Sequence, residues 1–514
     1  MQTYAAIDIG SNSCRLKIAR VQQHQLKVLH EDREVTRLGA SVFETGVVSP
    51  EAMAGTLLAL KRFYRAVKMH GADRVRAVAT SALRDARNAM AFLAWVKSET
   101  GWEVEIISGL EEARLIHRGV MGEAGSQGRC LLIDVGGGSC EITLSERKRI
   151  KETVSLPLGA VRLTKEFLHT DPPTEEELAR MKQFIAREVR KAERRFGKLK
   201  VSMVIATSGT AAALAQASQT MHKTRVPRKS ATAAARLMAV TRDVRRLTNK
   251  LTGMTVGQRS GVPGIGPKRS EIVIAGAHAY AAVLEHFALP GFTYSELGLR
   301  DGILSQMLAE QDPKAAAHQV FEQERWQAVL ATCRRYGVDP KQADPVRHHA
   351  LQLFRDLHSV HELPPEYSSW LEAAAMMRDV GKFMNYWGHH RHAQYIVANS
   401  ELFGFTPQQR AIMSAIARYL GKSRPDPADR TMRPIPPEEF SRVQRAVVLL
   451  RLAVALNQDR ASDVLKVALH VYPKRVTMLL SPGRTGAELE LWSLRKEGDY
   501  FREVFRRELF VALA

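Results

Sequence analysis

Cysteine is scarce in this chain. The 514 residues hold four, Cys14, Cys130, Cys140 and Cys333, and no Cys-x-x-Cys spacing links them. That is too few to staple a chain of this size and offers no zinc signature, so a reducing cytoplasm is expected. No apolar run reaches the roughly 18 residues that a membrane span needs. A strand-like run, Tyr4 to Ile9, starts within three residues of Met1 and leaves no room for a basic and then apolar leader. Neither secretion nor a membrane partner is expected. A Gly-x-x-x-x-Gly-Lys-Ser/Thr loop is missing, which counts against the common nucleotide hydrolases. So are zinc fingers and aromatic-rich RNA-binding signatures, and nucleic acid is therefore not the expected partner.

What is present is an ordinary globular balance, 45% hydrophobic and 25% charged. The length predicts three or four domains. The formal charge of +21 is large, and such a field recruits polyanions. It is uneven: Lys151 to Ser260 carry 22 Lys and Arg against 9 Asp and Glu. A solvated basic face is the plain alternative to a polyanion-binding one.

The first half alternates strand-like and helix-like segments. Strands are predicted at Tyr4 to Ile9, Cys14 to Val21, Arg74 to Thr80, Glu103 to Ile107, Cys130 to Asp134, Cys140 to Leu144 and Val201 to Ala206. Helices are predicted at Pro50 to Met69, Ala86 to Glu99 and Glu111 to Met121. This is an α/β pattern. Within it lies an internal repeat, in which Asp8-Ile-Gly-Ser-Asn-Ser-Cys-Arg15 aligns without a gap on Asp134-Val-Gly-Gly-Gly-Ser-Cys-Glu141. An apolar strand precedes and follows each copy, so two similar lobes facing a cleft are expected. Past about residue 305 amphipathic helices dominate, as at Pro345 to Leu357, Trp370 to Arg378 and Glu438 to Leu456. The tail returns to strands at Val464 to Val471 and Arg475 to Leu480, with a closing helix expected near Asp499 to Leu509.

Glycine-rich turns between strands let successive backbone N–H groups converge on phosphate oxygens. Each copy of the repeat supplies one, Gly10-Ser11-Asn12-Ser13 and Gly136-Gly137-Gly138-Ser139. A third anion site is expected at Ser208-Gly209-Thr210, where an apolar strand opens into an Ala-rich helix. Asp134 and Glu141, across their turn, can both reach a Mg²⁺ that bridges phosphate oxygens, and Asp8 holds the equivalent place in the first lobe. Each aspartate can instead cap its own turn. Glu111 and Glu112 stand in the first turn of a helix after a strand, where a carboxylate can activate water. Spacing alone does not choose between them. Arg84, just past another strand, can stabilise charge on a phosphoryl group or simply pair with Asp85.

Taken together these segments resemble the exopolyphosphatase and guanosine pentaphosphate phosphatase (Ppx/GppA) family, a branch of the actin, sugar kinase and Hsp70 superfamily. The resemblance runs in order through Asp8 to Leu16, Ala79 to Asn88, Ile107 to Ile116, Ile133 to Glu141, Ser155 to Leu163, Ser208 to Leu214, Pro263 to Gly276 and Ser295 to Leu304. It implies two actin-like (ribonuclease H-like, ASKHA) lobes around a cleft. It further implies that Glu112 is the catalytic base, that Asp134 and Glu141 line a metal or phosphate site, and that Arg84, Gly136, Gly137, Gly138 and Ser139 hold terminal phosphates. Mg²⁺ is the implied cofactor. Cys140 departs from the Thr more usual in the family and costs a hydroxyl beside the turn. The helical region resembles the HD-like module of long family members in degenerate form, with Arg378-Asp379 where an active module has His-Asp.

The expected organisation is therefore lobe I over 1–125, lobe II over 126–305, an all-α HD-like domain over 306–460 and a small α/β domain over 461–514. The expected activity is exopolyphosphatase, acting on inorganic polyphosphate as a homodimer. Hydrolysis of guanosine pentaphosphate to the tetraphosphate is the alternative, and a non-catalytic polyphosphate or alarmone sensor a further one.

Overall fold

The computed structural model describes residues 2–123, 128–197, 199–221, 237–421, 423–458, 464–482 and 486–514. The chain divides into two compact units, Met1–Gln319 and Val320–Ala514.

In the first unit β1 (Thr3–Ile9), β2 (Cys14–Gln22), β3 (Gln25–Glu34), β4 (Arg74–Ala79) and β5 (Val104–Ile106) form a sheet of order β3-β2-β1-β4-β5. A second sheet holds β6 (Arg129–Val135), β7 (Cys140–Glu146), β8 (Arg149–Leu156), β9 (Met203–Thr207), β10 (Met238–Val240) and β11 (Gly291–Tyr294), in the order β10-β11-β9-β6-β7-β8. Each sheet starts as an antiparallel meander and then adds parallel strands on the other side of its first strand. The second sheet is thus the first one repeated, with β10 as an extra edge. Even the irregularities repeat. The register slips between Ile18 and Ala19 in one lobe and between Leu144 and Ser145 in the other, four residues past Cys14 and Cys140 respectively. Both meanders turn through two residues of positive φ, Gln23 and His24 or Arg147 and Lys148, the twist that a tight hairpin requires.

All seven strands predicted for the first half are present. In this unit the strands that pattern reading misses are β3, β8, β10 and β11. β3 is an edge strand, largely polar and half exposed, so it lacks the apolar alternation that marks a strand. β10 and β11 span 3 and 4 residues and give no period to detect.

Each lobe has its own core, one around Ile7, Leu16, Phe63 and Phe92, the other around Ile133, Ile142, Leu214 and Tyr280. The helix Leu299–Gln311 returns to the first sheet and packs Ile303, Leu304 and Met307 with Tyr4, Ala6 and Val78. It also crosses the helix Gly109–Glu123 so closely that a Cβ on Gly302 would lie 1.8 Å from the Leu115 carbonyl oxygen. Only glycine admits that contact, which fixes the height at which Glu112 enters the cleft.

The second unit is mainly helical. Its helix Pro340–Asp356 begins earlier than the predicted Pro345, because Asp339 caps it by accepting from the Lys341 N–H and Pro340 suits a first turn. A sheet of β12 (Lys466–Val471), β13 (Arg475–Ser481) and β14 (Glu508–Leu513), in the order β12-β13-β14, shares one apolar core with the helices through Val476, Met478, Leu480 and Val511. The closing helix expected near Asp499 to Leu509 is corrected: the helix spans Glu488–Phe505, ends at Arg506 with φ 56°, and the chain continues as β14, parallel to β13. The pull of the β13 edge and the burial of Val511 override the helical reading.

Candidate active site

The two glycine turns of the repeat face each other across one cleft of about 540 Å³ in the first unit. A Cβ built on Gly137 would come within 2.9 Å of Ser11 Cβ and 3.1 Å of the Asn12 nitrogen. Each turn closes on itself in the same way, with Gly10 N–H donating to Ser13 O at 3.2 Å and Gly136 N–H to Ser139 O at 2.9 Å. The remaining carbonyls are drawn backwards. In the second lobe the Ala160 N–H donates to Gly136 O at 2.9 Å and the Val161 N–H to Gly137 O at 2.8 Å, while Arg162 Nε donates to Gly138 O at 2.8 Å. In the first lobe Gly39 N–H donates to Ser11 O at 2.7 Å and Arg37 N–H to Asn12 O at 3.1 Å. A trans peptide points its N–H opposite to its C=O. Drawing the carbonyls back therefore turns the amides of Asn12, Ser13, Gly137, Gly138 and Ser139 the other way, the arrangement that binds anions.

Strand register sets the charges beside these turns. Asp8 lies opposite Arg15 on β1 and β2, whereas Asp134 lies opposite Glu141 on β6 and β7. Duplication thus yields a carboxylate–guanidinium pair in one lobe and a carboxylate pair in the other. Glu112 joins them from the helix Gly109–Glu123, which Ser108 caps by accepting from the Glu111 N–H at 3.1 Å. Helix phase separates the two glutamates. Glu111 accepts from Arg114 at 2.7 and 2.9 Å, while Glu112 lies in the cleft wall.

The carboxylates strain each other electrostatically. Burial, then the Glu141 charge, lifts Glu112 well above the carboxylate range, and Arg84, 3.6 Å away, opposes the rise. Burial and Glu141 push Asp134 up to about 7. Burial also pushes Glu141 up to about 7, against hydrogen bonds from Ser155 and Ser139. Asp8 rises through burial, with Arg15 pulling it down. Asp8 Oδ1, Glu112 Oε2 and Glu141 Oε2 are buried without a hydrogen-bond partner. Unsatisfied carboxylate oxygens beside like charges suit a hard cation. Among the described residues no three His, Cys, Asp or Glu side chains already form a metal cage.

The third turn carries a cation of its own. Ser208 has φ 85° and is fixed by Tyr280, whose hydroxyl donates to Thr207 O at 2.8 Å. A Cβ on Gly209 would lie 1.4 Å from Arg269 Nη2, so the missing side chain makes room for that guanidinium at the N-terminus of the helix Ser208–Met221.

This geometry is matched by the family comparisons. The model of the Ppx/GppA phosphatase family covers residues 17–311 and that of its domain III covers residues 324–497. The chain belongs to the Ppx/GppA phosphatase family. Exopolyphosphatase 2 of Mycobacterium tuberculosis is 34% identical over 321 residues, 58% of this chain and 96% of that one. The crystal structure of an exopolyphosphatase from Cytophaga hutchinsonii is similar at 26% identity and a TM-score of 0.55, covering 60% of this chain and 98% of that one. A Ppx/GppA family member from Aquifex aeolicus shares 31% identity at a TM-score of 0.50, over 60% and 99%. The chain is accordingly a phosphatase, a hydrolase whose first unit has the actin-like fold of mixed sheets, in a family that depends on divalent metal.

In this Ppx/GppA phosphatase the cleft gathers Asp8, Gly10 to Ser13, Glu112, Asp134, Gly136 to Ser139 and Ser208 to Thr210. Glu141 and Arg84 stand behind that wall, Glu141 against Asp134 and Arg84 with its Nη1 donating to the Ile107 carbonyl at 2.6 Å. Asp85, the alternative partner of Arg84, pairs with Arg162 instead.

Sequence reading does not assign the cations of the cleft, Arg15, Arg33, Arg269 and Arg300. Arg269 is pulled down to about 10 by burial and by Arg33 and Arg15, and Arg300 and Arg33 are lowered by burial and by Arg15. Mutual repulsion of guanidiniums in a cleft is relieved by an anion. None of the Lys and Arg of the basic stretch from 151 to 260 lines the cleft among the described residues, and 222–236 of that stretch lie outside them.

Proposed function

We propose that the first unit is an exopolyphosphatase that removes the terminal phosphate of inorganic polyphosphate with Mg²⁺. The single observation that carries the reading is the convergence, in one cleft, of two glycine turns, a carboxylate group and four arginines. The turns' amides and Arg269 receive the terminal phosphoryl group. Arg15, Arg33 and Arg300 follow the next phosphates of the chain, where repeated negative charge offsets their repulsion. Glu112 takes a proton from water as its oxygen attacks the terminal phosphorus. The anhydride P–O bond breaks, orthophosphate leaves, and the chain is one phosphate shorter.

Asp8, Asp134 and Glu141 would hold the divalent ion, which when bound supplies positive charge to the phosphoryl oxygens. Carboxylates without a fuller cage among the described residues suit Mg²⁺, which proteins commonly hold through one or two carboxylates together with substrate phosphates. Arg84 favours the ionised form of Glu112 against burial and the Glu141 charge. We read the second unit as the greater part of a degenerate HD-like domain over 306–460 followed by a small α/β domain over 461–514, and assign it no metal-dependent hydrolysis, because Arg378 stands where an active module has His and its Nη1 donates to the Ala375 carbonyl at 2.7 Å. We read the first unit as lobes 1–125 and 126–305, and the protein as a cytoplasmic homodimer.

Tyr294 is the one aromatic ring in the cleft wall among the described residues, which favours a bare phosphate chain over a nucleotide that needs stacking. Phosphate release from long-chain polyphosphate and from guanosine pentaphosphate, with Mg²⁺ and after chelation, tests the reading. A preference above about tenfold for polyphosphate, about 1.4 kcal/mol, is expected. A tenfold preference for the pentaphosphate would replace the substrate, and binding without release would make the protein a sensor.

A further inference from the structure

Arg162 takes no part in the steps above and does not line the cleft, yet it is joined to more of the site's framework than any step requires. It projects from the helix Ala160–Phe167 with a side chain 15% exposed. Its Nε donates to Gly138 O at 2.8 Å, in the phosphate turn of the second lobe. Its Nη2 donates to Ser81 Oγ at 3.1 Å and pairs with Asp85, both in the first lobe. Its Cζ lies 4.2 Å from the ring centre of Phe43, also in the first lobe. The turn fits tightly against the same residues, since a Cβ on Gly138 would lie 2.4 Å from Ser81 Oγ and 2.6 Å from Phe43. In the duplicated turn of the first lobe the corresponding ties are backbone N–H groups, from Arg37 and Gly39.

A planar guanidinium can hold a carbonyl, a hydroxyl and a carboxylate at once in fixed directions, which an ammonium cannot. Asp85 is one residue from Arg84, so the clamp ends beside the group that faces Glu112. We propose that Arg162 is a positioning residue that holds the Gly138 carbonyl away from the cleft and clamps the phosphate turn to Ser81 and Asp85, bringing the turn's amides and Glu112 onto the same phosphate together. This rests on the exopolyphosphatase reading. A clamp of this kind acts on alignment more than on affinity, because misplacing the phosphate by a fraction of an ångström costs turnover first.

The test is steady-state hydrolysis of polyphosphate by the full chain. Arg162→Ala should lower kcat by about a hundredfold and raise KM by less than about threefold, with a melting temperature within a few degrees of the parent. Arg162→Lys, which keeps the charge near Asp85, should recover about tenfold of that loss. Asp85→Asn should lower kcat too, and the double variant Arg162→Ala/Asp85→Asn should be no worse than Arg162→Ala alone. A kcat within twofold of the parent in Arg162→Ala, a loss that is equal in Arg162→Lys, or additive effects in the double variant would each overturn the proposal. A second readout needs no turnover: at saturating tripolyphosphate the protection of the Gly137 to Ser139 amides from hydrogen exchange should be weaker in Arg162→Ala than in the parent and in Arg162→Lys. Protection in Arg162→Ala equal to that of the parent would overturn the clamp. A parent chain that hydrolyses neither polyphosphate nor the pentaphosphate would end the functional reading, with the exchange measurement still deciding Arg162.

Discussion

Arg84 Nη1 stands 3.6 Å from Glu112 Oε2 while donating to the Ile107 carbonyl at 2.6 Å. The backbone thus holds the guanidinium at the side of the buried carboxylate, and Arg84 is the one positive charge among the leading influences on Glu112. Burial and Glu141 raise Glu112; Arg84 lowers it. A base with a raised pKa is active only above it, so kcat/KM should climb with pH along a limb that lies above the ordinary carboxylate range. Removing the countercharge favours the protonated acid further, so Arg84→Gln should move that limb to higher pH as well as lowering the plateau. The pH–rate profiles of the two enzymes check this. An unmoved limb under a lowered plateau would leave Arg84 as a phosphate contact alone.

Glu111 and Glu112 should separate by property. Glu112→Gln keeps the shape and removes the base, and should lower kcat by about 10² to 10⁴ with polyphosphate binding retained. Glu111→Gln should keep kcat within about threefold, but it weakens the charge pairing of Arg114, whose side chain is 4% exposed, and should cost about 3 kcal/mol of stability. Turnover assays and urea unfolding on both variants decide it. Activity lost in the Glu111 variant and kept in the Glu112 variant would reverse the assignment.

Gly209 should behave as though it were part of Arg269. A Cβ there would overlap the guanidinium, at 1.4 Å from Nη2, so Gly209→Ala must expel Arg269 from the helix terminus. Gly209→Ala and Arg269→Ala should each raise KM for polyphosphate by about tenfold, about 1.4 kcal/mol, and the double variant should add little. The KM should also depend less steeply on salt in either variant, since one cation fewer releases counterions. Independent, multiplying effects would mean that Gly209 serves the helix and not the arginine.

The repeat was legible because it is written twice in one register, down to the Asp, Gly, Ser and Cys of each octet, and it led to both turns and to Asp8, Asp134 and Glu141. The arginines were not. Arg15 occupies the octet position that Glu141 fills in the other copy, so alignment alone made it a mismatch instead of a cation facing a carboxylate. Arg33 stands on the polar edge strand β3, which has no apolar period, and Arg269 reaches its place only because a distant loop meets Gly209. The high local charge of 151 to 260 drew attention for a reason that geometry does not share: the helix Glu175–Phe196 pairs Arg180, Arg187 and Lys191 with its own glutamates, Lys191 with Glu188 at 2.6 Å. That helix was itself readable, since Thr174 and Glu177 form its capping box. Glu112 was singled out only by the resemblance, and the partner that excludes Glu111, Arg114, lies one helical turn on.

His117 gives a prediction on stability in acid. It is buried on the same helix as Glu112, its Nε2 2.8 Å from Ser145 Oγ, and burial together with Arg118 and Arg114 pulls it down to about 3. In the unfolded chain a histidine titrates near 6.5. Below that pH the unfolded state takes up a proton that the folded state refuses, so folding stability falls as pH drops, by about 1.4 kcal/mol per pH unit from this one group, until the folded group also titrates. His117→Gln keeps a hydrogen-bonding side chain beside Ser145 and removes the titration. The variant should be less stable than the parent at pH 7 through imperfect packing, and the gap should narrow or reverse at pH 5, as read by urea unfolding at the two pH values. A gap that stays constant would mean that His117 binds its proton equally well in the folded and unfolded chains, so that burial and the arginines on its own helix do not hold it neutral.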